Sequence, residues 1–331
     1  MSEQRELLSD SAARLFQSNA GWDEIEALGI ADILVSEERG GSGADWDDAC
    51  AVLQAAGHAQ TPLPVAEAMI ARKVVADAGL EVPRTQLSIA PNPVGTLSRD
   101  GRAWKFSGVL SSVPWGRDVA SVVTIVSLDG QPHGVVLAVQ DASVHKKMNL
   151  ADEPRDDLQF DSAPALTAPA VTREAQHLFE YAALARTAQI AGALQSALER
   201  SIGYALERKQ FGRPIGQFQA VQQQLALFGA ETAAATCASR SAAIAACTGD
   251  ASFEIAAAKL RANQAIGVAT SIAHQVHGAI GFTREYALRQ ATQRLWSWRS
   301  EYGNDRYWSE RLGRAVVERG ADRFWEDLTG R

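Results

Sequence analysis

Apolar positions recur with helical spacing at both ends of the chain and in strand-like runs between them. Leu7, Ala13, Leu15 and Phe16 share one helical face, and Trp22, Ile25, Leu28 and Ile30 continue the pattern after a break. Glu37 to Gly43 reads as a loop, and Asp45 as the cap of a helix through Ala51, Leu53 and Ala56. Pro62 and Pro64 end that helix, since proline has no backbone N–H, and another starts near Ala66. From about Val82 the texture changes. Ala103–Val109, Ala120–Leu128 and Gly134–Val139 predict strands, with Asp100-Gly101 and Asp129-Gly130 where turns need positive φ. Past Thr172 the helical signal is almost unbroken. Ile190, Leu194, Leu198 and Ile202 form an inward stripe, and alanine-rich helices run from about Phe218 to Cys247 and from Ala251 to His277. A last helix is expected from near Asp305 to near Leu328. The fold class is therefore mainly α with a β middle domain. The expected domains are a helical one over 1–81, a β one over 82–171 and a helical bundle over 172–331.

The length of 331 residues suits two or three domains, and a hydrophobic share of 46% is that of a globular chain. Acidic side chains outnumber basic ones, 39 to 32, which argues against nucleic acid as a general partner. Cys50, Cys237 and Cys247 lack the spacing of a metal site or redox pair, so a reducing cytoplasm is the natural setting. No apolar run approaches the roughly 20 residues of a membrane span, and Met1 to Leu8 has no signal-peptide core.

Most candidate chemistry is bland. Gly40-Gly41-Ser42-Gly43 lacks the strand and Lys-Ser/Thr of a phosphate loop. His274 and His277 share a helix but have no third ligand nearby, so no metal is expected. No Gly-x-Ser-x-Gly elbow occurs. Two segments say more. Tyr204 to Gln219 contains Arg208, Gln210 and Gln219 as donors beside Phe211, in a glycine-containing turn between helices. Such a set suits a diphosphate attached to a flat ring, or merely a helix hairpin. Gln275 to Tyr286 is a helix end broken by Gly278 and Gly281, where backbone can approach a ligand.

These two segments resemble signature stretches of the acyl-CoA dehydrogenase family, in the family's order and separation. Trp22 to Gly29, Leu34 to Gly43, Ser107-Gly108 and Asp118 to Val123 resemble its other parts, so the likeness covers nearly the whole chain. It implies an N-terminal helical domain, a β-barrel-like domain and a C-terminal four-helix bundle, with FAD between the last two. Arg208, Gln210 and Phe211 would reach the FAD of an adjacent subunit. Gln275, Val276, His277, Gly278 and Ala279 would hold its adenine side. The implied reaction is α,β-desaturation of an acyl-CoA thioester, with an electron-transfer flavoprotein or similar acceptor. A homodimer, a homotetramer or a heterotetramer with another dehydrogenase subunit is implied as the assembly.

The family's base is a glutamate, expected in a dry pocket with a raised pKa. Gap-free counting from Gln275 places it on Tyr302, one residue past Glu301, and Glu301 is the assignment made here. The family's other position falls on Ala182, two residues from Glu180. The family's Thr-Glu-Pro-Gly-Ala-Gly-Ser-Asp loop is absent from Leu87 to Ser98, and its flavin-wall Trp-Ile-Thr-Asn becomes Ser112-Val113-Pro114-Trp115. Trp115 would supply a displaced ring. The chain therefore reads as a dehydrogenase in its own right, as one subunit of an unequal pair of the kind used in steroid side-chain degradation, or as a catalytically silent partner or scaffold.

Overall fold

Caps and glycine breaks set the elements at the start of the computed structural model, which describes residues 3–101, 103–169, 172–283 and 285–329. The expected boundary at Val171, and Arg284 of the second signature segment, lie outside the described residues. Helices α1 (Glu3–Gln17), α2 (Trp22–Ala27), α3 (Trp46–Ala59) and α4 (Val65–Asp77) come first. Gly29, at φ 66°, ends the pattern that was expected to run through Ile30, which opens a separate 3-10 turn instead. Asp45 caps α3 as anticipated, its side chain accepting from the Asp48 N–H at 2.9 Å. The Gly40–Gly43 loop is tightly built: a Cβ on Gly41 would lie 2.2 Å from the Val35 carbonyl oxygen.

A seven-stranded sheet follows: β1 (Leu87–Ala90), β2 (Pro93–Asp100), β3 (Ala103–Pro114), β4 (Ser121–Leu128), β5 (Gln131–Ala138), β6 (Ala142–His145) and β7 (Arg155–Pro169). Its order is β1-β4-β5-β7-β3-β2, with β6 on β7; only β1 and β4 pair in parallel. Asp129 and Gly130 both have positive φ, the geometry of a two-residue hairpin turn between β4 and β5. β1, β2, β6 and β7 were not anticipated. β7 hides behind Pro164 and Pro169, and Pro164 lies next to a bulge at Ser162 (φ 51°) where the register with β3 shifts.

The remainder is α5 (Arg173–Gln176), α6 (Leu178–Glu207), α7 (Gln219–Thr248), α8 (Ser252–His277), α9 (Leu288–Ser300), α10 (Asp305–Arg319) and α11 (Phe324–Thr329), with a small hairpin of β8 (Lys209–Gln210) and β9 (Arg213–Pro214). α9 was not anticipated as a helix. Gly320, at φ 85°, divides the expected single last helix into α10 and α11. The α6 stripe also ends early: Ile190 and Leu194 are fully buried, whereas Ile202 is 40% exposed. α6 touches α3, α4, α7, α8 and α9. It meets α3 through two glycines: a Cβ on Gly192 would lie 1.9 Å from the Gln54 carbonyl oxygen, and one on Gly57 2.1 Å from that of Gln189. One buried cluster runs from Leu53 and Met69 through Ile89 and Val123 of the sheet to Leu184 of α6 and Trp308 of α10. No described helix is long and apolar enough to cross a membrane.

Candidate functional site

The first candidate segment is an arm at the end of α6. Arg208 leaves the helix with extended backbone (φ −70°, ψ 118°), its N–H still donating to the Tyr204 carbonyl at 2.9 Å. Lys209–Gln210 and Arg213–Pro214 then pair around Phe211 (φ 51°) and Gly212 (φ 81°), the two left-handed positions of a tight turn. Phe211 stands at the tip, 92% exposed, in an edge-to-face arrangement with Phe218 at 6.2 Å between ring centroids. Arg208 and Gln210 are exposed as well. The arm therefore presents a guanidinium, an amide and an aromatic face together.

At the end of α8 the five expected residues divide. Gln275 is exposed, while Val276 lies in the bundle core. His277 is buried, donating through Nδ1 to the Ala273 carbonyl at 2.7 Å and stacking on Tyr204 at 4.6 Å. The family resemblance placed Val276 and His277 on the ligand; helical geometry turns both side chains inward. Burial lowers the pKa of His277 and of His274, so both are neutral near pH 7. The stack on Tyr204, one turn before Arg208, brings the two segments together. Gln275, Gly278 and Ala279 edge an open groove of about 540 Å³ with Thr270, Phe282 and Trp296. A Cβ at Gly278 (φ 62°) would meet nothing within 4 Å, so a ligand can lie against the backbone there. The buried Nδ1 of His274, also on the groove, has no hydrogen-bond partner among the described residues. A dinucleotide fits this donor set: cation and amides for the diphosphate, and aromatic faces for a ring.

The Glu301 cleft is of another kind. About 480 Å³ in volume, it lies between the β1–β2 turn at Pro91 and Asn92, the end of β3 at Ser112 and Pro114, and the α9–α10 turn. Glu301 Oε1 accepts from Arg155 Nε at 2.8 Å and from Asn149 Nδ2 at 3.2 Å, and Oε2 pairs with the Arg186 guanidinium at 3.0 Å. Arg186 also holds Glu67 at 2.6 Å. Arg155 holds Glu153 at 3.1 Å, which in turn holds Arg294 at 2.8 Å. Three arginines thus alternate with three glutamates across α4, the sheet and the bundle. Burial alone would raise the Glu301 pKa, but the flanking guanidiniums of Arg155 and Arg186 override it and hold it at about 2. The expectation of a raised pKa is therefore overturned. The α-proton chemistry needs a basic carboxylate, and the two arginines that hold this one at about 2 make it a weak base. Glu180 is no freer, being paired with His177 at 2.8 Å and bonded by Arg311.

Trp115 is not among the residues lining the cleft; its ring packs against the sheet core. Pro114 offers no N–H, and its carbonyl accepts from Ser88 Oγ at 2.6 Å. Sequence reasoning missed Glu67, Asn149, Arg155 and Arg186, which come from four separate stretches. One signal was available: Arg186 interrupts an otherwise apolar, alanine-rich stretch of α6, and a charge there must find a buried partner.

Residues 172–316 match the family model described as acyl-CoA dehydrogenase, C-terminal domain. The chain is 26% identical over 311 residues to acyl-CoA dehydrogenase IpdE2 of Mycolicibacterium smegmatis, covering 87% of this chain and 91% of that one. Its fold matches the ChsE4–ChsE5 complex from Mycobacterium tuberculosis with a TM-score of 0.88 at 21% identity, covering 97% of this chain and 99% of the other. It also matches the Tcur3481–Tcur3483 steroid ACAD with a TM-score of 0.86 at 23% identity, covering 96% and 98%.

Proposed function

Because the chain is a member of the acyl-CoA dehydrogenase family of flavoprotein oxidoreductases, we propose that it acts as the completing subunit of an unequal pair of such chains. In this reading Arg208, Gln210 and Phe211, with Gln275 and the backbone of Gly278 and Ala279, hold FAD that is anchored mainly in the other chain. Bound there, FAD supplies acceptance of the β-hydride of an acyl-CoA thioester. Arg208 neutralises diphosphate charge, and Phe211 covers ring surface and excludes water from it. The base that takes the α-proton belongs to the partner chain, and an electron-transfer flavoprotein or similar acceptor takes the electrons. A bulky acyl-CoA of the steroid side-chain type is the substrate class, in line with the steroid dehydrogenase pair that shares the fold.

The observation that carries this reading is the state of Glu301, clamped by two arginines that make it a weak base, together with the bare arm at the far end of α6. The test is the visible spectrum of the chain purified alone and with its partner. A colourless chain that forms a yellow complex, whose flavin content drops on Arg208→Ala, is the expected result. A chain that purifies alone with one flavin per subunit, bleached by an acyl-CoA, would sink the proposal. One observation favours a second reading, a self-sufficient dehydrogenase with Glu301 as base: Glu301 does line the cleft between sheet and bundle. In that case Glu301→Gln abolishes turnover in a flavin-loaded homo-oligomer.

A further inference from the structure

α9 ends without a glycine cap. Glu301, at its C-terminus, has extended backbone (φ −69°, ψ 136°), and the next two residues both take positive φ, 53° at Tyr302 and 100° at Gly303. A non-glycine residue in the left-handed region is strained, and the last carbonyls of a helix need donors from elsewhere. Both needs converge on one side chain. Lys259, fully buried on α8, places Nζ 3.1 Å from the Trp298 carbonyl oxygen, 3.2 Å from that of Arg299 and 3.2 Å from that of Gly303. The side-chain oxygen of Asn263, one helical turn on, accepts from the same nitrogen at 2.7 Å, and its amide donates to Gly303 at 3.3 Å. Trp308 Nε1 secures the Tyr302 carbonyl at 3.1 Å from the far side.

We propose that Lys259 is the positioning residue of the Glu301 cleft: its buried ammonium clasps the end of α9 and the Glu301–Tyr302–Gly303 turn, and the turn loosens when that ammonium loses its proton. The inference concerns this chain alone and stands whichever chain holds the flavin.

Three N–H donors on an ammonium serve four oxygen acceptors. A neutral amine keeps two donors and turns a lone pair toward carbonyl oxygens, which repels. The negative end of the α9 dipole favours the charged form, as do Glu301 in the turn and Asp305 on α10. Burial opposes it most strongly, joined by Arg186 on α6 and Arg299 on α9, so that Lys259 is pushed down to about 7. The sign is instructive. Between the folded value of about 7 and the ordinary value of 10.5, the unfolded chain binds more protons, so global stability rises with pH. Local order of the turn moves the opposite way.

Hydrogen exchange of the segment 297–304, corrected for intrinsic rates and measured between about pH 6 and about pH 8.5, separates the two. In the assembly in which the chain purifies, protection of this segment falls about tenfold across that window, while α7 amides keep theirs. In Lys259→Met, protection is already low at the acid end and flat with pH, and the rise in global stability above pH 7 disappears. A folded Lys259→Met chain with wild-type protection at the acid end overturns the proposal. Should that variant not fold, the wild-type series decides, and protection independent of pH across the window overturns it.

Discussion

At the scale of single residues, Glu301 shows how environment outranks identity. A glutamate close to the family's base position resembles a base, yet its partners make it a structural anion. Arg155 and Arg186 are both buried, so removing either leaves charge behind without a counter-ion. Arg186→Met should destabilise the chain by about 3–5 kcal/mol, read from denaturant unfolding, because buried Glu67 loses its guanidinium and Glu301 keeps only Arg155 of its two. Adding Glu301→Gln to that variant should recover part of the loss; strictly additive effects would mean that the two do not form one network. The pH dependence follows from the same pairing. The folded pKa of about 2 lies below the ordinary 4.5, so the unfolded chain binds more protons between them. The contribution of Glu301 is full above pH 4.5 and is lost as pH falls toward 2. Wild-type stability should drop over that interval more steeply than that of Glu301→Gln, as followed by acid titration of far-UV circular dichroism. The grouping of Arg208, Gln210 and Phe211 on one turn was legible because they sit within four residues of one another. The clamp of Arg155 and Arg186 on Glu301 was not, because their meeting needs a sheet and two helices to be placed first.

At the scale of elements, caps and breaks written into adjacent residues were readable: Asp45 before α3 and Asp129-Gly130 between β4 and β5. Elements defined by distant pairing were missed. β7 carries two prolines and is a strand because β3, β5 and β6 pair with it and a bulge absorbs the irregularity. α9, not anticipated as a helix, has its end held by Lys259 from another helix. Helix contacts also give a paired prediction. Gly192→Ala should destabilise by about 1–3 kcal/mol or more, since its methyl must push α3 off α6. Gly203→Ala, on the same helix with nothing within 4 Å of the new methyl, should stabilise by about 0.5–1 kcal/mol through helix propensity. Thermal unfolding of the two variants checks both signs, and equal effects would refute the Gly57–Gly192 contact as the reason for glycine there.

At the scale of the whole molecule, the arm and the cleft make opposite demands. The cleft ties three layers together through buried charge, whereas the arm leaves a phenyl ring almost wholly in water. A fully buried phenylalanine is worth roughly 1.5–3 kcal/mol, a gain the isolated chain forgoes at Phe211. Phe211→Ala should therefore leave the melting temperature of the isolated chain unchanged, within about 0.5 kcal/mol of stability. In the pairing proposed above, it should weaken assembly of the two chains and lower the flavin content of their complex. A large loss of stability in the isolated chain would instead make Phe211 part of its own core. The sequence by itself determined the order of helical, β and helical regions, the position of the arm and the family resemblance, since all of these rest on residues close together along the chain. Only the tertiary structure decided that Val276 and His277 face inward, that Glu301 is clamped by arginines from the sheet and from α6, and that a lysine on α8 holds the turn beside it. The physical reason is range: spacing and propensity act over a helical turn or a hairpin, whereas the charge of a buried carboxylate is set by groups that meet it only after the chain has folded.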